Sequence, residues 1–359
     1  MTWRDGVHLT GTPIWCDARR RRDVCFLSSA DRVGRTGHGQ LIGTAITLAL
    51  LDATGAGHLT VPLRQRFTLG TVRLELIPSG RGFGAAALHA DIAGKTVLYA
   101  GAVRTSAGGV GDAAELRACD AVVVSAPYGE PHHRFPPLAA AVAQAIDWTR
   151  AQLAAGRRPV LLVDTLLDGL EVASRLAAED IAIAGSRALR ETGQRIAELV
   201  PPPQIVDGQV AIGRSISPRM GSDPALAMHR SAAGSQPPGR PPDPASGIPA
   251  ISAPGREPRA IVWLDADRAG LARSLGDHPA VTALVSARAL DGADGYDTGV
   301  PWASAADHAQ LLGWIEATGA RDVFVTGACA EAIVAALGAR ARIIGPPHQM
   351  SLFPREATP

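Results

Sequence analysis

Residues 74–88 read LELIPSGRGFGAAAL. The opening alternation, TVRLELI over residues 71–77, is the period of a half-buried strand. Pro78 and the glycines at 80, 82 and 84 then force tight turns that side chains with a Cβ resist. Beyond them, residues 85–99 read as a hairpin turning near Ala93-Gly94-Lys95. A strand, a glycine turn carrying one arginine (Arg81) and a hairpin therefore follow in immediate succession.

Upstream, residues 23–29 (DVCFLSS) read as a strand reaching a loop, and residues 41–51 (LIGTAITLALL) as a compact apolar helix. Downstream, AVVV at 121–124 reads as a buried strand. The rhythm then changes. Pro136-Pro137 opens a helix through Leu153 with Gly156 just past its end, the expected asymmetry of helix ends. Strands at 159–164, 181–184, 260–264 and 281–285 alternate with helices at 168–178, 187–199 and from Arg268, which implies a parallel sheet with helical cover. A helix at 305–318, strand 322–326, helix 330–337 and strand 342–344 close the chain. Residues 217–258, including SQPPGRPPDPASGIPAISAPGREP, lack the apolar residues to offset their ordering entropy and read as a flexible loop.

At 359 residues the chain suits two packed units, or one domain with a large insertion. Its 46% apolar content allows a substantial core, built from Ala, Val, Leu and Ile because aromatics are only 4%. A net charge of +1 argues against a global basic field for nucleic acid. No stretch reaches the ~18 apolar residues of a membrane span and the N-terminus has no apolar signal core, so a cytoplasmic protein without membrane contact is expected. Cys16, Cys25, Cys119 and Cys329 show no CxxC spacing and read as core thiols.

Four segments, TGTPIWCDARRRRDVCFLSSADRVGRTGHG (10–39), LELIPSGRGFGAAAL (74–88), VLYAGAVRT (97–105) and VVVSAPYG (122–129), resemble in order and spacing the metallo-β-lactamase domain of β-CASP nucleases. Exonucleases associated with DNA ligase and RNA 3′-end processing factors are the most similar branches. GVPWASAADHAQLL (299–312) and DVFVTGACAEAIVAAL (322–337) fit the end of the same family. The resemblance implies a four-layer αββα metallo-β-lactamase fold, an α/β class sandwich, with an inserted α/β β-CASP-like cap. The expected division is 1–135 and 295–359 for the metallo-β-lactamase-like domain and 136–294 for the cap.

Active members of the family hold two metal ions, usually zinc, which activate water and clamp the scissile phosphate. Their ligands lie in HxHxDH, PxGHxxGS and LYxGD motifs and in two further histidines near the C-terminus. Without gaps over residues 26–39, Ser29 and Asp31 fall at the first two histidines, and Val33 and Gly34 at the next Asp and His. Arg81 takes the histidine of the second motif, and a cation there repels a metal. Ala102 takes the bridging Asp, Ala305 a C-terminal His and Gly327 the last one. Ser125 replaces the acid of the family's ESTYG. Only Asp31 has a useful metal donor, while Pro78, Tyr99, Tyr128, Gly129 and the turn glycines, Gly101 included, match.

Arginine offers a planar fork of donors, so Arg35, Arg81, Arg104 and Arg134, on segments bordering the family cleft, are possible phosphate binders. The alternative is that Arg81 and Arg104 fill the vacated pocket with salt bridges. The run RRRR at 19–22 can grip phosphates or be a solvated turn. His132-His133 reads as a surface loop and His38 as structural. Asp164, Asp168 and Glu171 can form an acidic site, or Asp168 can cap a helix with a first-turn acid.

The expected function is that of a pseudoenzyme with no catalytic residue and no cofactor, binding an active nuclease homologue or a DNA ligase- or helicase-type repair partner. The rival expectations are a zinc-dependent exonuclease using relocated ligands such as Asp31, His38 and His308, and a phosphate or single-strand binder with weak or local nucleic-acid contact.

Overall fold

The computed structural model describes residues 1–31, 37–106, 109–201, 203–207, 259–276 and 278–346. The expected loop at 217–258 and the positions Val33, Gly34 and Arg35 lie outside them. Seven α-helices are described: α1 Ala45–Leu50, α2 Leu138–Ala154, α3 Leu166–Ala177, α4 Arg187–Arg195, α5 Arg268–Leu275, α6 His308–Thr318 and α7 Ala330–Leu337. The class is mixed α/β, and no described helix is long and apolar enough to cross a membrane.

Three sheets organise the chain. The first runs in sequence order from Thr2–Trp3 to Leu59–Thr60. The second has the order Ala341–Ile343, Asp322–Thr326, Ala121–Ser125, Lys95–Gly101, Ala86–Ile92, Val72–Pro78, Arg66–Leu69. Its half nearest the C-terminal strand is parallel and the other half is antiparallel. These two sheets face each other: Val7, Ile14, Phe26 and Ile42 of the first meet Leu74, Leu76, Leu88 and Tyr99 of the second. Alternation along the strands gives the other faces to helices. Ile77, Leu98 and Val122 pack on Leu311, Ile315 and Ile333 of α6 and α7, while Cys25 and Leu41 pack on Leu48 of α1.

The strand Val72–Pro78 departs from the half-buried reading. Both its faces are covered, and Glu75, in an outward position, is itself buried beneath Arg117, which donates to it at 3.0 and 3.1 Å. The hairpin turns at Ala93 and Gly94, with φ of 53° and 80°, the pair of positive values that two-residue hairpin turns require.

The expected helix at 41–51 is corrected. Gln40–Gly43 is a strand paired with Val24–Phe26, and α1 begins only after Thr44, whose hydroxyl accepts from Thr47 N. The run is apolar throughout because strand and helix each bury a face, so periodicity hides the break. The helix expected from 305 starts at His308. Asp307 caps it, accepting from Gln310 N at 2.9 Å, while Gln310 Oε1 accepts from Asp307 N at 3.3 Å. The helix expected from Asp168 starts at Leu166, because Thr165 is the cap and Asp168 donates its N–H to it at 3.1 Å.

The third sheet is wholly parallel, ordered Ile205–Asp207, Ile183–Gly185, Ala260–Leu264, Pro159–Val163, Val281–Ser286, Thr298–Pro301. Its last strand lies beyond the 294 boundary read from the sequence. Helices α2, α3 and α4 cover one face and α5 the other. The covered face shares a continuous apolar core with Ala49, Leu50 and Phe83 of the N-terminal region, and Arg195 donates to Leu50 O at 2.9 Å.

Candidate functional site

Of the positions that the family resemblance assigns to metal ligands, Ser29, Asp31 and Arg81 meet where the glycine turn, the loop after Val24–Phe26 and the segment before α6 converge. Three turns set the geometry. Gly101 has φ of 60°, and a Cβ there would lie 2.7 Å from Ser28 Oγ. Gly80 has φ of 79°, and its Cβ would lie 2.1 Å from Arg104 O. Gly327, at the last expected histidine, has φ of 103° and would place a Cβ 2.9 Å from Ala126 O. Asp17, not singled out in the sequence, anchors the loop from below. Its carboxylate accepts from Ser28 N at 2.8 Å, Ser28 Oγ at 2.5 Å and Tyr99 Oη at 2.9 Å.

At the centre stands an ion pair. Arg81 donates to Asp31 through Nε, at 3.1 and 3.3 Å, and through Nη2, and its Nη1 donates to Ser304 Oγ at 3.0 Å. Ser29 Oγ donates to Asp31 Oδ1 at 2.6 Å. Both charged side chains are nearly nine-tenths buried. Burial works against the guanidinium charge, but Asp31 outweighs it and holds Arg81 ionised well above the usual arginine range. Two positions expected to hold ligands are thus joined to each other. Ala102 and Ala305 are buried, and Ala306 N donates to Val103 O at 2.6 Å.

Arg104 is more deeply enclosed. It and Glu171 are both 2% exposed. Its Nη1 and Nη2 donate to the two Glu171 oxygens at 2.9 and 2.8 Å, its Nε to Gly80 O at 2.8 Å, and Glu171 Oε1 also accepts from Val110 N at 2.9 Å. The phosphate-binding expectation for Arg104 is corrected, because the donors that would grip a phosphate already serve Glu171. Arg81 likewise has its fork on Asp31. Arg134 is exposed.

Asp164, Asp168 and Glu171 do not form an acidic site, since an arginine faces each. Arg288 donates to Asp164 at 2.7 and 3.2 Å and bridges to Asp265 at 2.9 Å. Asp168 lies within the field of Arg81, yet burial dominates and raises its carboxyl to about 6. Tyr128 is pushed up by burial as well, although a hydrogen bond with Ser304 opposes the shift. The contacts of Asp168, Glu171 and Ser304 were invisible in the sequence, where 67 and 223 residues separate the bonded partners.

The relocated ligand set does not assemble. His38 accepts from Arg22 N at 3.2 Å, His308 Nδ1 lies 2.5 Å from Gly129 O, and Asp31 belongs to Arg81. Among the described residues no three His, Cys, Asp or Glu are grouped to hold a metal ion. His133 accepts from Glu130 N at 3.2 Å and packs on Phe135, and the basic run is a turn in which Arg20 pairs with Asp5 and Arg22 stacks on Trp15. All four cysteines are buried free thiols.

No protein-family model matches the chain, and no curated protein matches it. Among solved structures it is similar to a protein of unknown function from Enterococcus faecalis V583. The two are 10% identical with a TM-score of 0.51, and the match covers 90% of this chain and 79% of that one. At that identity the likeness is one of fold.

Proposed function

We propose that this protein is a pseudoenzyme with the four-layer metallo-β-lactamase fold of β-CASP nucleases, in which the third sheet with its helices is the inserted cap. It acts by binding an active nuclease relative or another nucleic-acid repair or processing partner. The observation that carries this reading is the Arg81–Asp31 pair at two family ligand positions. A guanidinium occupies the place of an imidazole, offers no lone pair and repels a cation. Supporting it are the alanines at the bridging-Asp and C-terminal His positions and the positive-φ turns at the glycines that match the family motifs. With those ligands replaced, the binding energy of a two-metal centre is gone while the scaffold persists.

Elemental analysis of protein purified without chelator or metal-binding tag tests the reading. Less than about one-tenth of a zinc, manganese or iron per chain is expected, because genuine structural or catalytic sites bind tightly enough to survive purification. One or two tightly held metals per chain, with hydrolysis of single-stranded nucleic acid, would overturn it.

A further inference from the structure

A recess of about 410 Å³ opens beside the glycine turn. Its walls come from segments far apart in sequence: Ile46 of α1, Val61 and Leu63 after Leu59–Thr60, Phe83 of the turn, Val110, and Val200 beyond α4. Missing side chains help to make the room. Gly80, Gly82, Gly84 and Gly111 also line it, and a Cβ on Gly82 or Gly111 would meet nothing within 4 Å. The recess continues the main core, since Ile46, Val110 and Val200 pack on the cluster that holds Phe83. Leu63, 37% exposed, extends the apolar lining to the surface.

Polar groups along these walls are engaged elsewhere. Gly84 O accepts from the hydroxyls of Thr44 and Thr47, both at 2.7 Å. Gly80 O accepts from Arg104 Nε at 2.8 Å, Pro78 O from Glu115 N at 2.9 Å and Gly82 O from Ala85 N at 3.2 Å. Val110 N donates to Glu171 Oε1 at 2.9 Å. Asp112, the one charged side chain among the described residues of the lining, is exposed and paired with Arg64 at 2.8 Å. A water held in a cavity needs several polar partners, which these engaged groups do not supply. An ion entering here would lose its hydration without compensation. An uncharged apolar molecule loses little and gains the burial of its surface.

We propose that this recess is a binding site for a neutral, largely hydrocarbon molecule. A cavity of about 150 Å³ lined by aliphatic and aromatic side chains takes benzene, so this one suits a molecule about two to three times that size, a two-ring aromatic or a chain of about ten carbons. The volume lies within the range of small-molecule sites, which recur where separate units meet. Here Val200 follows α4, which covers the third sheet, and the other walls come from the N-terminal region. The lining omits Arg81 and Asp31, so the test is independent of the pseudoenzyme reading.

The test is fluorescence titration of the full chain with N-phenyl-1-naphthylamine, a neutral two-ring probe that brightens in apolar surroundings. Saturable binding of one probe per chain, displaced by 1-decanol, is expected. Ile46→Trp and Val200→Trp fill the recess from different segments, and both replaced side chains are only half-buried, so the larger ring can be accommodated. Each should weaken the probe by about tenfold or more, since losing contact worth about two buried methylenes gives that factor. Melting temperatures confirm that the variants fold. Ile343→Ser removes an apolar side chain, 42% exposed, outside the recess and should leave binding unchanged. Absence of saturable binding would overturn the proposal, as would several probes per chain or failure of 1-decanol to displace the probe. Wild-type affinity in the folded Ile46→Trp and Val200→Trp proteins would overturn it too. A loss in Ile343→Ser equal to theirs would show surface adsorption and likewise overturn it.

Discussion

Replacing Arg104 by alanine tests the buried pair that joins the loop after Lys95–Gly101 to α3. The guanidinium makes three hydrogen bonds of 2.8 to 2.9 Å, two to Glu171 and one to Gly80 O. Truncation leaves the Glu171 carboxyl, 2% exposed in the native protein, supported chiefly by Val110 N. Removing one member of a buried pair costs about 3–5 kcal/mol. About 4 kcal/mol is expected here, close to a thousandfold in the folding equilibrium at about 1.4 kcal/mol per decade. Glu171→Leu alone should cost a similar amount, because it strands the arginine. The double variant Arg104→Met/Glu171→Leu should recover most of the loss, since apolar residues of similar volume substitute well for a buried pair. Urea denaturation of wild type, Arg104→Met, Glu171→Leu and the double variant closes the cycle and gives the coupling energy, expected at about 3 kcal/mol or more, the upper part of the usual range for contacting residues. A loss below about 1 kcal/mol for Arg104→Ala, the size of an ordinary surface change, would refute the claim that the pair is desolvated. A double variant as unstable as the sum of the singles would refute the claim that the two charges answer each other.

The remaining predictions concern the cleft and its turns. Asp168 has its folded-state carboxyl raised by burial to about 6, above the usual value near ~3.9, so its neutral form is favoured in the fold. Its contribution to stability is therefore fully present below about pH 4 and lost as pH rises through about 6. Asp168→Asn should gain up to about 3 kcal/mol at pH 8 and nothing near pH 4; urea midpoints that shift equally at both pH values would contradict this. Gly327→Ala should destabilise by roughly 2 kcal/mol or more, because φ is 103° and the new Cβ would meet Ala126 O at 2.9 Å. An unchanged melting temperature would show that the turn yields freely. A histidine at 327 meets the same obstacle, so Gly327→His should lower the yield of folded protein without conferring metal binding, as elemental analysis would read.

How far the sequence exposed this molecule depends on the range of the interaction concerned. Local signals were legible. Alternation placed Val72–Pro78, the Ala93-Gly94 turn is where the composition put it, and Pro136-Pro137 with Gly156 bracket α2. The apolar run at 41–51 misled because a buried strand and a buried helix are both apolar, and only Thr44 marked the break. The caps slipped by a few residues at α3 and α6 because Thr165 and Asp307 competed with nearby residues of equal capping ability.

At the site, the motif register singled out Arg81 and Asp31 as replaced ligands but could not say that they face each other across 50 residues. The question it left open, phosphate or salt bridge, was decided by acids on distant segments. Glu171 lies one helical turn beyond Asp168 on α3, so a single face of that helix meets Arg104 and the field of Arg81. Ion pairs between segments carry no periodicity and no spacing, which is why the closure of this cleft appears only when the chain is folded.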